Sequence, residues 1–295
     1  MTVYNFGSVN IDHVLRVPRH VEPGETLAAH GSFTGLGGKG ANQSVAVARA
    51  GVEVLHIGAI GHDGDDAAAG LSEAGVDLTW LQRLETPSGR AQIMVDDEGE
   101  NAIIILAGAN ADVSLDHLQA ALSDAAPGDI LMLQNETPHQ AEAARFARGK
   151  GMHVIYSAAP FEAAAVKSVL DHVSLLLVNE VEAAQLTAAL DMDLSDIPVP
   201  AIVVTKGPEG AVFHDLNAGT VLERPSHKVD VVDTTGAGDC FAGYLAAGLD
   251  RGLDVAAALE LALAAAALAV TRPGATAAIP TGDEVTAFHF SQAGR

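Results

Sequence analysis

The sequence lacks the features that mark several common protein classes. Cys240 is the only cysteine among the 295 residues, so no disulfide can form within the chain. That fits a reducing compartment, and a cytoplasmic location is the expectation. Basic residues are scarce: 16 Lys and Arg stand against 38 Asp and Glu, a formal net charge of -22. They are also scattered, so no patch exists to hold a phosphate backbone or an anionic membrane surface. Neither nucleic acid nor membrane is expected as a partner. An anionic small molecule stays open, because backbone N–H groups and one or two cations can hold phosphate locally. The chain opens without a basic segment leading into an apolar run, so no secretory leader is expected. The longest apolar stretch, residues 255–270, is mostly Ala, includes Glu260 and is shorter than a membrane span; it reads as a buried helix. The 12 His residues form no His-x-x-x-His pair and no Gly-x-Ser-x-Gly elbow occurs, which disfavours a zinc site and a hydrolase nucleophile.

What is present is a globular composition, 48% hydrophobic and 18% charged, which excludes global disorder. Neither a fixed-period repeat nor a low-complexity linker divides the chain. Short apolar runs at 3–9, 52–60, 130–134, 153–157, 175–178 and 201–205 alternate with helical patterns at 41–50, 66–74, 115–123, 139–148, 162–170 and 181–188. A hairpin-like stretch at 212–224 follows, and two long Ala-rich helices close the chain. This alternation predicts an α/β fold, a mostly parallel sheet covered by helices on both faces. Polar-punctuated runs at 14–17 and 26–34, with a hairpin signal around Asp97-Glu98-Gly99-Glu100, predict a small second sheet. One domain over 1–295 is expected, its β appendage formed from about 12–34 and 88–107.

Five segments carry chemistry. Asp233-Thr234-Thr235-Gly236-Ala237-Gly238-Asp239 precedes an apolar helix. Glycines there let backbone N–H groups converge at a helix N-terminus, an anion cradle. Asp239, read as the first residue of that helix, would be repelled by a bound phosphate unless its purpose is to accept the proton of an attacking hydroxyl. The alternative is an Asp N-cap with ordinary turn glycines. Gly35-Leu36-Gly37-Gly38-Lys39-Gly40-Ala41-Asn42 matches a dinucleotide fingerprint in letters only, since the segment before it makes a poor buried strand. Nor is it a phosphate-binding Walker loop, since Gly40 follows Lys39 where Ser or Thr is needed. A glycine loop with one cation and one amide suits a polyhydroxylated ligand, or is simply a tight loop. Asn10 and Asp12, placed at the end of the first strand, and Glu136, after another, can bond hydroxyls or merely end strands. Asn179 and Glu182 can hold a hydrated Mg²⁺ beside a nucleotide, form a capping box, or both. Thr205-Lys206-Gly207-Pro208-Glu209-Gly210 is a nucleotide loop or a β-turn.

Together and in this order, these segments resemble the ribokinase family of sugar kinases (PfkB-type). GLGGKGANQSVAVARAG is similar to its N-terminal signature and VVDTTGAGDCFAGYL to its C-terminal one, and the resemblance runs from Asn5 to about Pro280. It implies a doubly wound α/β domain with a small β-sheet lid and phosphoryl transfer from ATP to a sugar hydroxyl. Asp239 then corresponds to the catalytic base, and Gly236, Ala237 and Gly238 to the anion hole. Asn179 and Glu182 match the motif governing Mg²⁺ through water and phosphate. Thr205, Gly207 and Gly210 match the nucleotide loop, with Asn179 and Gly238 also on the ATP side. Members activated by K⁺ hold it at positions matched by Asp233, Thr235, Ala269, Arg272 and Gly274. In the member that phosphorylates ribose, the pentose is held at positions matched by Asn10, Asp12, Gly38, Lys39, Asn42, Glu136 and Asp239. The resemblance therefore favours D-ribose, giving ribose 5-phosphate.

The departures from the family pattern are specific. Ser157-Ala158-Ala159-Pro160 replaces Asn-Pro-Ala-Pro, and Leu263 stands where His or Asn borders the adenine. Ala278 replaces a Ser that helps line the K⁺ site, and Leu106 replaces a polar residue in the lid. Lys206 is unusual in the nucleotide loop and offers an additional phosphate contact. The rival readings are a kinase for another furanose, a keto-sugar or a nucleoside, and a non-catalytic sugar-binding regulator. Exposed lid strands predict a homodimer joined through them.

Overall fold

Apolar runs become strands and the alanine-rich stretches between them become helices. The computed structural model describes residues 1–293. In chain order it forms β1 (Val3–Phe6), β2 (Asn10–Arg16), β3 (Gly31–Gly37), α1 (Lys39–Arg49), β4 (Val54–Ile60), α2 (Asp65–Glu73) and β5 (Leu81–Arg83). Then come β6 (Gly89–Val95), β7 (Asn101–Leu106), α3 (Leu115–Ala121), β8 (Ile130–Gln134), α4 (Gln140–Gly149), β9 (His153–Ser157) and α5 (Ala163–Val169). The remainder is β10 (Leu175–Asn179), α6 (Glu180–Leu190), β11 (Ala201–Thr205), β12 (Ala211–Asp215), β13 (Thr220–Arg224), α7 (Ala237–Asp250), α8 (Val255–Ala269) and α9 (Gly282–Ala293).

Nine strands form one sheet in the order β13-β12-β11-β10-β9-β8-β1-β4-β5, every pairing parallel except β11 with β12 and β12 with β13. Its central strands are buried on both faces, as their continuous apolar runs require. Alternate residues feed two cores. Ile130 and Met132 pack with residues of α1, α2, α7, α8 and α9; Leu131 and Leu133 pack with residues of α3 to α6. The sheet is thus doubly wound. β1 lies between β4 and β8, and the chain builds outward on one side before crossing to the other. Strand order reverses there, and such reversals open a crevice at the carboxyl ends of the strands.

A second sheet, β3-β2-β6-β7, is built from two separate stretches of chain. It buries Val14, Ala91 and Ile93, whereas β7 exposes Ile104 and Leu106 by 61% and 55%. α7 runs against α1 at a close crossing, and this approach positions the site described below. A Cβ on Gly243 would lie 2.4 Å from that of Ala46, so a larger residue would push the helices apart.

Several sequence expectations shift. Asn10 and Asp12 do not end the first strand; they lie in β2, because the chain leaves the main sheet at Gly7 and pairs Asn10 with Gly37. Gly35 and Gly37 are not loop residues but the end of β3, an exposed edge strand that needs no apolar run. The extended run expected from residue 26 starts only at Gly31. Asp239 is the third residue of α7, not its first, with Gly236 as N-cap. β5 and α9 were not expected: three residues are too few to show a period, and α9 is a third C-terminal helix where two were anticipated. Among the described residues, no helix is long and apolar enough to cross a membrane.

Candidate active site

The ends of β1 and β8 and the N-termini of α1 and α7 meet at the crevice. Asp239, buried in the first turn of α7, accepts a hydrogen bond at each carboxylate oxygen. The Asn42 amide donates to Oδ2 at 3.0 Å and the Gln43 amide to Oδ1 at 3.0 Å. Adjacent residues at the start of α1 thus grip both oxygens of one carboxylate. On its other side Asn42 presents Oδ1 to the Thr276 hydroxyl at 2.5 Å.

α7 begins on Gly236, in the left-handed region at φ 73°, with no side-chain cap. Ala237 turns its N–H to the Thr234 carbonyl at 3.2 Å. The N–H groups of Gly238 and Asp239 find no acceptor among the described residues and form the open end of the helix. Gly236, Gly238 and Asp239 line a cavity of about 180 Å³ with Lys39, Ser157, Ala159, Asn179, Glu182 and Thr205. The Lys39 ammonium is held above its ordinary pKa, foremost by the field of Asp239 and against its own burial, with Glu136 and Glu182 adding to it. Placed with the sugar-reading residues from sequence, Lys39 belongs geometrically to this cavity.

Asn179 and Glu182 form a full capping box. Asn179 Oδ1 accepts from the Glu182 N–H at 2.8 Å, and Glu182 Oε2 accepts from the Asn179 N–H at 2.9 Å. One carboxylate and one amide cannot cage a divalent ion, but they suit a hydrated Mg²⁺ shared with phosphates. Among the described residues no cluster of three metal-ligating side chains occurs. Gly207 and Gly210 bracket the turn after β11 and are not among the cavity walls; Leu263, which replaces the family's His or Asn, is buried in the core.

A larger cavity, about 1270 Å³, lies beneath the small sheet and is lined by Asp12, Asp233, Thr235, Gly274 and Thr276. Asp12 Oδ1 is buried with no hydrogen-bond partner among the described residues. Burial foremost, then the charge of Glu136, pushes the Asp12 carboxyl up to about 7. Glu136 accepts from the Lys39 N–H at 3.0 Å and is also bonded to the Ser8 hydroxyl. Asn10 is buried and accepts from the Asn110 amide at 2.8 Å. Gly38 sits at φ 93° just before α1, facing Ser8 and Asn10.

Asp233 joins two loops: Oδ1 accepts from the Thr235 N–H and Oδ2 from the Gly274 N–H, each at 2.9 Å. Burial works to raise its pKa, but Thr235 and Gly274, helped by the charge of Arg16, hold it below the usual carboxylate value. A carboxylate so placed between backbone loops fits a monovalent cation. Ala269 accepts from the Arg272 N–H at 3.0 Å, and Ala278 is buried without a side-chain ligand to offer.

The structure therefore gathers Lys39, Asn179, Glu182, Thr205, Gly236, Gly238 and Asp239 at one cavity, and Asp12, Asp233, Thr235 and Gly274 at the other. Sequence reasoning missed Gln43, Thr276, Ser8, Asn110, Asn5 and Gln134. The available signal was polarity in the wrong place: Asn5 interrupts one apolar strand and Gln134, fully buried, ends another.

The profile of the pfkB family carbohydrate kinases matches residues 2–282. The curated ribokinase of Haemophilus influenzae is 32% identical over 302 residues, spanning 97% of this chain and 98% of that protein. Among solved structures, ribokinase from Thermotoga maritima superposes with a TM-score of 0.88 at 34% identity, covering 98% of this chain and 99% of that one. Arabidopsis thaliana ribokinase complexed with ribose and ATP gives a TM-score of 0.85 at 28% identity, with 97% of each chain covered. With a family match over nearly its whole length, the chain belongs to the pfkB family of carbohydrate kinases.

Proposed function

We propose that the protein transfers the γ-phosphoryl group of ATP to the 5-hydroxyl of D-ribose. The observation that carries this reading is the position of Asp239. Its carboxylate walls the small cavity and is linked through Asn42 and Thr276 to the large one. In this reading the small cavity takes the ATP phosphates and the large one takes the sugar. The likeness to ribokinases, one of them complexed with ribose and ATP, supports the choice of substrates.

Asp239 accepts the proton of the sugar hydroxyl as its oxygen bonds to the γ-phosphorus, while the bond from that phosphorus to the bridging oxygen breaks and ADP leaves. Charge on the transferring phosphoryl is met by the open N–H groups of Gly238 and Asp239 and by the Lys39 ammonium, held in place before the reaction begins. Thr205, Asn179 and the turn bracketed by Gly207 and Gly210 flank the nucleotide. Asn179 and Glu182 would hold Mg²⁺ through water, and that ion would supply charge neutralisation at the phosphates. Asp233, with carbonyls of Thr235, Ala269, Arg272 and Gly274, would hold K⁺ behind the α7 loop. Asn10, Asp12, Gly38 and Glu136 read the sugar hydroxyls, and the small sheet serves as a lid over them. The exposed β7 face supports a homodimer joined through that lid.

ADP release measured over ribose, 2-deoxyribose, fructose, adenosine and inosine tests the reading. Ribose should give the highest kcat/KM. A nucleoside or fructose exceeding it would replace the substrate, and no release with any acceptor would remove the kinase assignment.

A further inference from the structure

Asp239 stands at the end of a chain of buried amides that reaches back to the first strand of the protein. Gln43 donates to Asp239 Oδ1 at 3.0 Å. Gln43 Oε1 accepts from the Gln134 amide at 2.7 Å, and the same Gln134 nitrogen donates to Asn5 Oδ1 at 2.8 Å. The Asn5 amide in turn donates to the Gly40 carbonyl and to Ser44 Oγ, each at 2.8 Å. None of Asn5, Gln43 and Gln134 is more than 1% exposed, so no bulk water competes for these bonds.

The polarity of the chain is imposed from both ends. The Gly40 carbonyl can only accept, so Asn5 must turn its nitrogen there and its oxygen toward Gln134. The carboxylate of Asp239 accepts, so Gln43 must turn its nitrogen there and its oxygen toward Gln134. Gln134 then faces two oxygens and must spend both N–H donors between them. It does so although its own Oε1 is left buried with no partner among the described residues. An unsatisfied buried oxygen is costly, and its acceptance marks the donor direction as the one that matters.

We propose that Gln43, Gln134 and Asn5 are positioning residues for phosphoryl transfer: a one-way amide relay that holds the Asp239 carboxylate in its proton-accepting geometry. The proposal rests on Asp239 being the base. None of the three touches either cavity, so their removal should act on turnover and spare binding.

The test is steady-state kinetics together with ribose calorimetry on Gln43→Met, Gln134→Met and Gln134→Glu. Gln43→Met should lower kcat about ten- to a hundredfold, the scale of a misplaced reacting group. Ribose Kd should stay within threefold, which also shows that the variant is folded. Gln134→Met, one residue further from the base, should lower kcat in the same way, and it carries the test if Gln43→Met does not fold. Gln134→Glu keeps the volume but can donate at most one hydrogen bond where two are needed, so it too should lower kcat. Wild-type kcat in Gln43→Met, or in both Gln134 variants, overturns the relay. A parallel loss of kcat and ribose affinity in all three overturns it as well, since that is the mark of general disruption. Asp239→Asn separates the two readings: if that variant is active the base assignment fails, whereas an inactive Asp239→Asn beside a normal Gln43→Met sinks the relay alone.

Discussion

Of the carboxylates at the crevice, Asp239 and Asp12 have opposite surroundings. Asp239 accepts from two amides at 3.0 Å and is held in the first turn of a helix. Asp12 lies in a strand of the small sheet, with one buried oxygen that nothing satisfies and a neighbouring Glu136 whose charge repels it. The first is finished before any ligand arrives; the second is an acceptor awaiting donors. Under the proposed roles, the contrast is a division of labour: the reacting end is built into the rigid sheet and its helices, and the recognising end is left in deficit, so that a polyol would gain by supplying hydroxyls.

The sharpest way to break the comparison is at Asp239. Asp239→Asn should lower kcat by on the order of 10²–10⁴, the usual scale for removing a general base. Ribose affinity by calorimetry should stay within about tenfold, and near-normal turnover would end the assignment. Asp12→Ala should do the reverse. Ribose binding should weaken by roughly 1–3 kcal/mol, about 5- to 150-fold, while ATP affinity holds. Because the lost carboxylate was unsatisfied, the free variant should also melt no lower than the wild type at pH 8.

The pH dependence sharpens the same contrast. The Asp12 carboxyl is raised from 3.8 to about 7 in the folded protein. Its stabilising contribution is therefore present below about pH 4 and lost as pH rises through 7. Ribose hydroxyls donate to the charged form, so binding should tighten about tenfold between pH 6 and pH 8 and release protons. Calorimetry in buffers of different ionisation enthalpy measures both, and Asp12→Asn should abolish the dependence. The smallest effect concerns the cation. Replacing KCl by tetramethylammonium chloride at constant ionic strength should lower kcat a few-fold without moving the KM for ribose, because Asp233 braces the loop before α7 rather than the sugar. Equal rates in both salts would leave the Asp233 site without a role.

Much of this was readable from local signals. The strands at Ile130–Gln134, His153–Ser157 and Ala201–Thr205 were placed to the residue, because buried parallel strands are short apolar runs bounded by polar turns. The three-residue spacing of Asn179 and Glu182 is that of a capping box, and the structure forms one. The glycine stretch 35–40 misled, because half of it is an edge strand whose partner, β2, follows no recognisable periodicity. Ala237 was counted among the cradle donors, yet its N–H closes a turn on Thr234, a detail of backbone angle that residue types do not encode.

The sequence by itself determined the alternating architecture, the presence of a helix next to the glycines around Asp239 and the acidic balance of charge, since periodicity, turn chemistry and charge act over a few residues. Only the tertiary structure decided what surrounds that aspartate. The bonds from Gln134 to Gln43, from Gln134 to Asn5 and from Gln43 to Asp239 join residues 91, 129 and 196 positions apart. No local propensity relates such residues. They meet because the strand order reverses between β1 and β8 and because Gly243 lets α7 settle against α1.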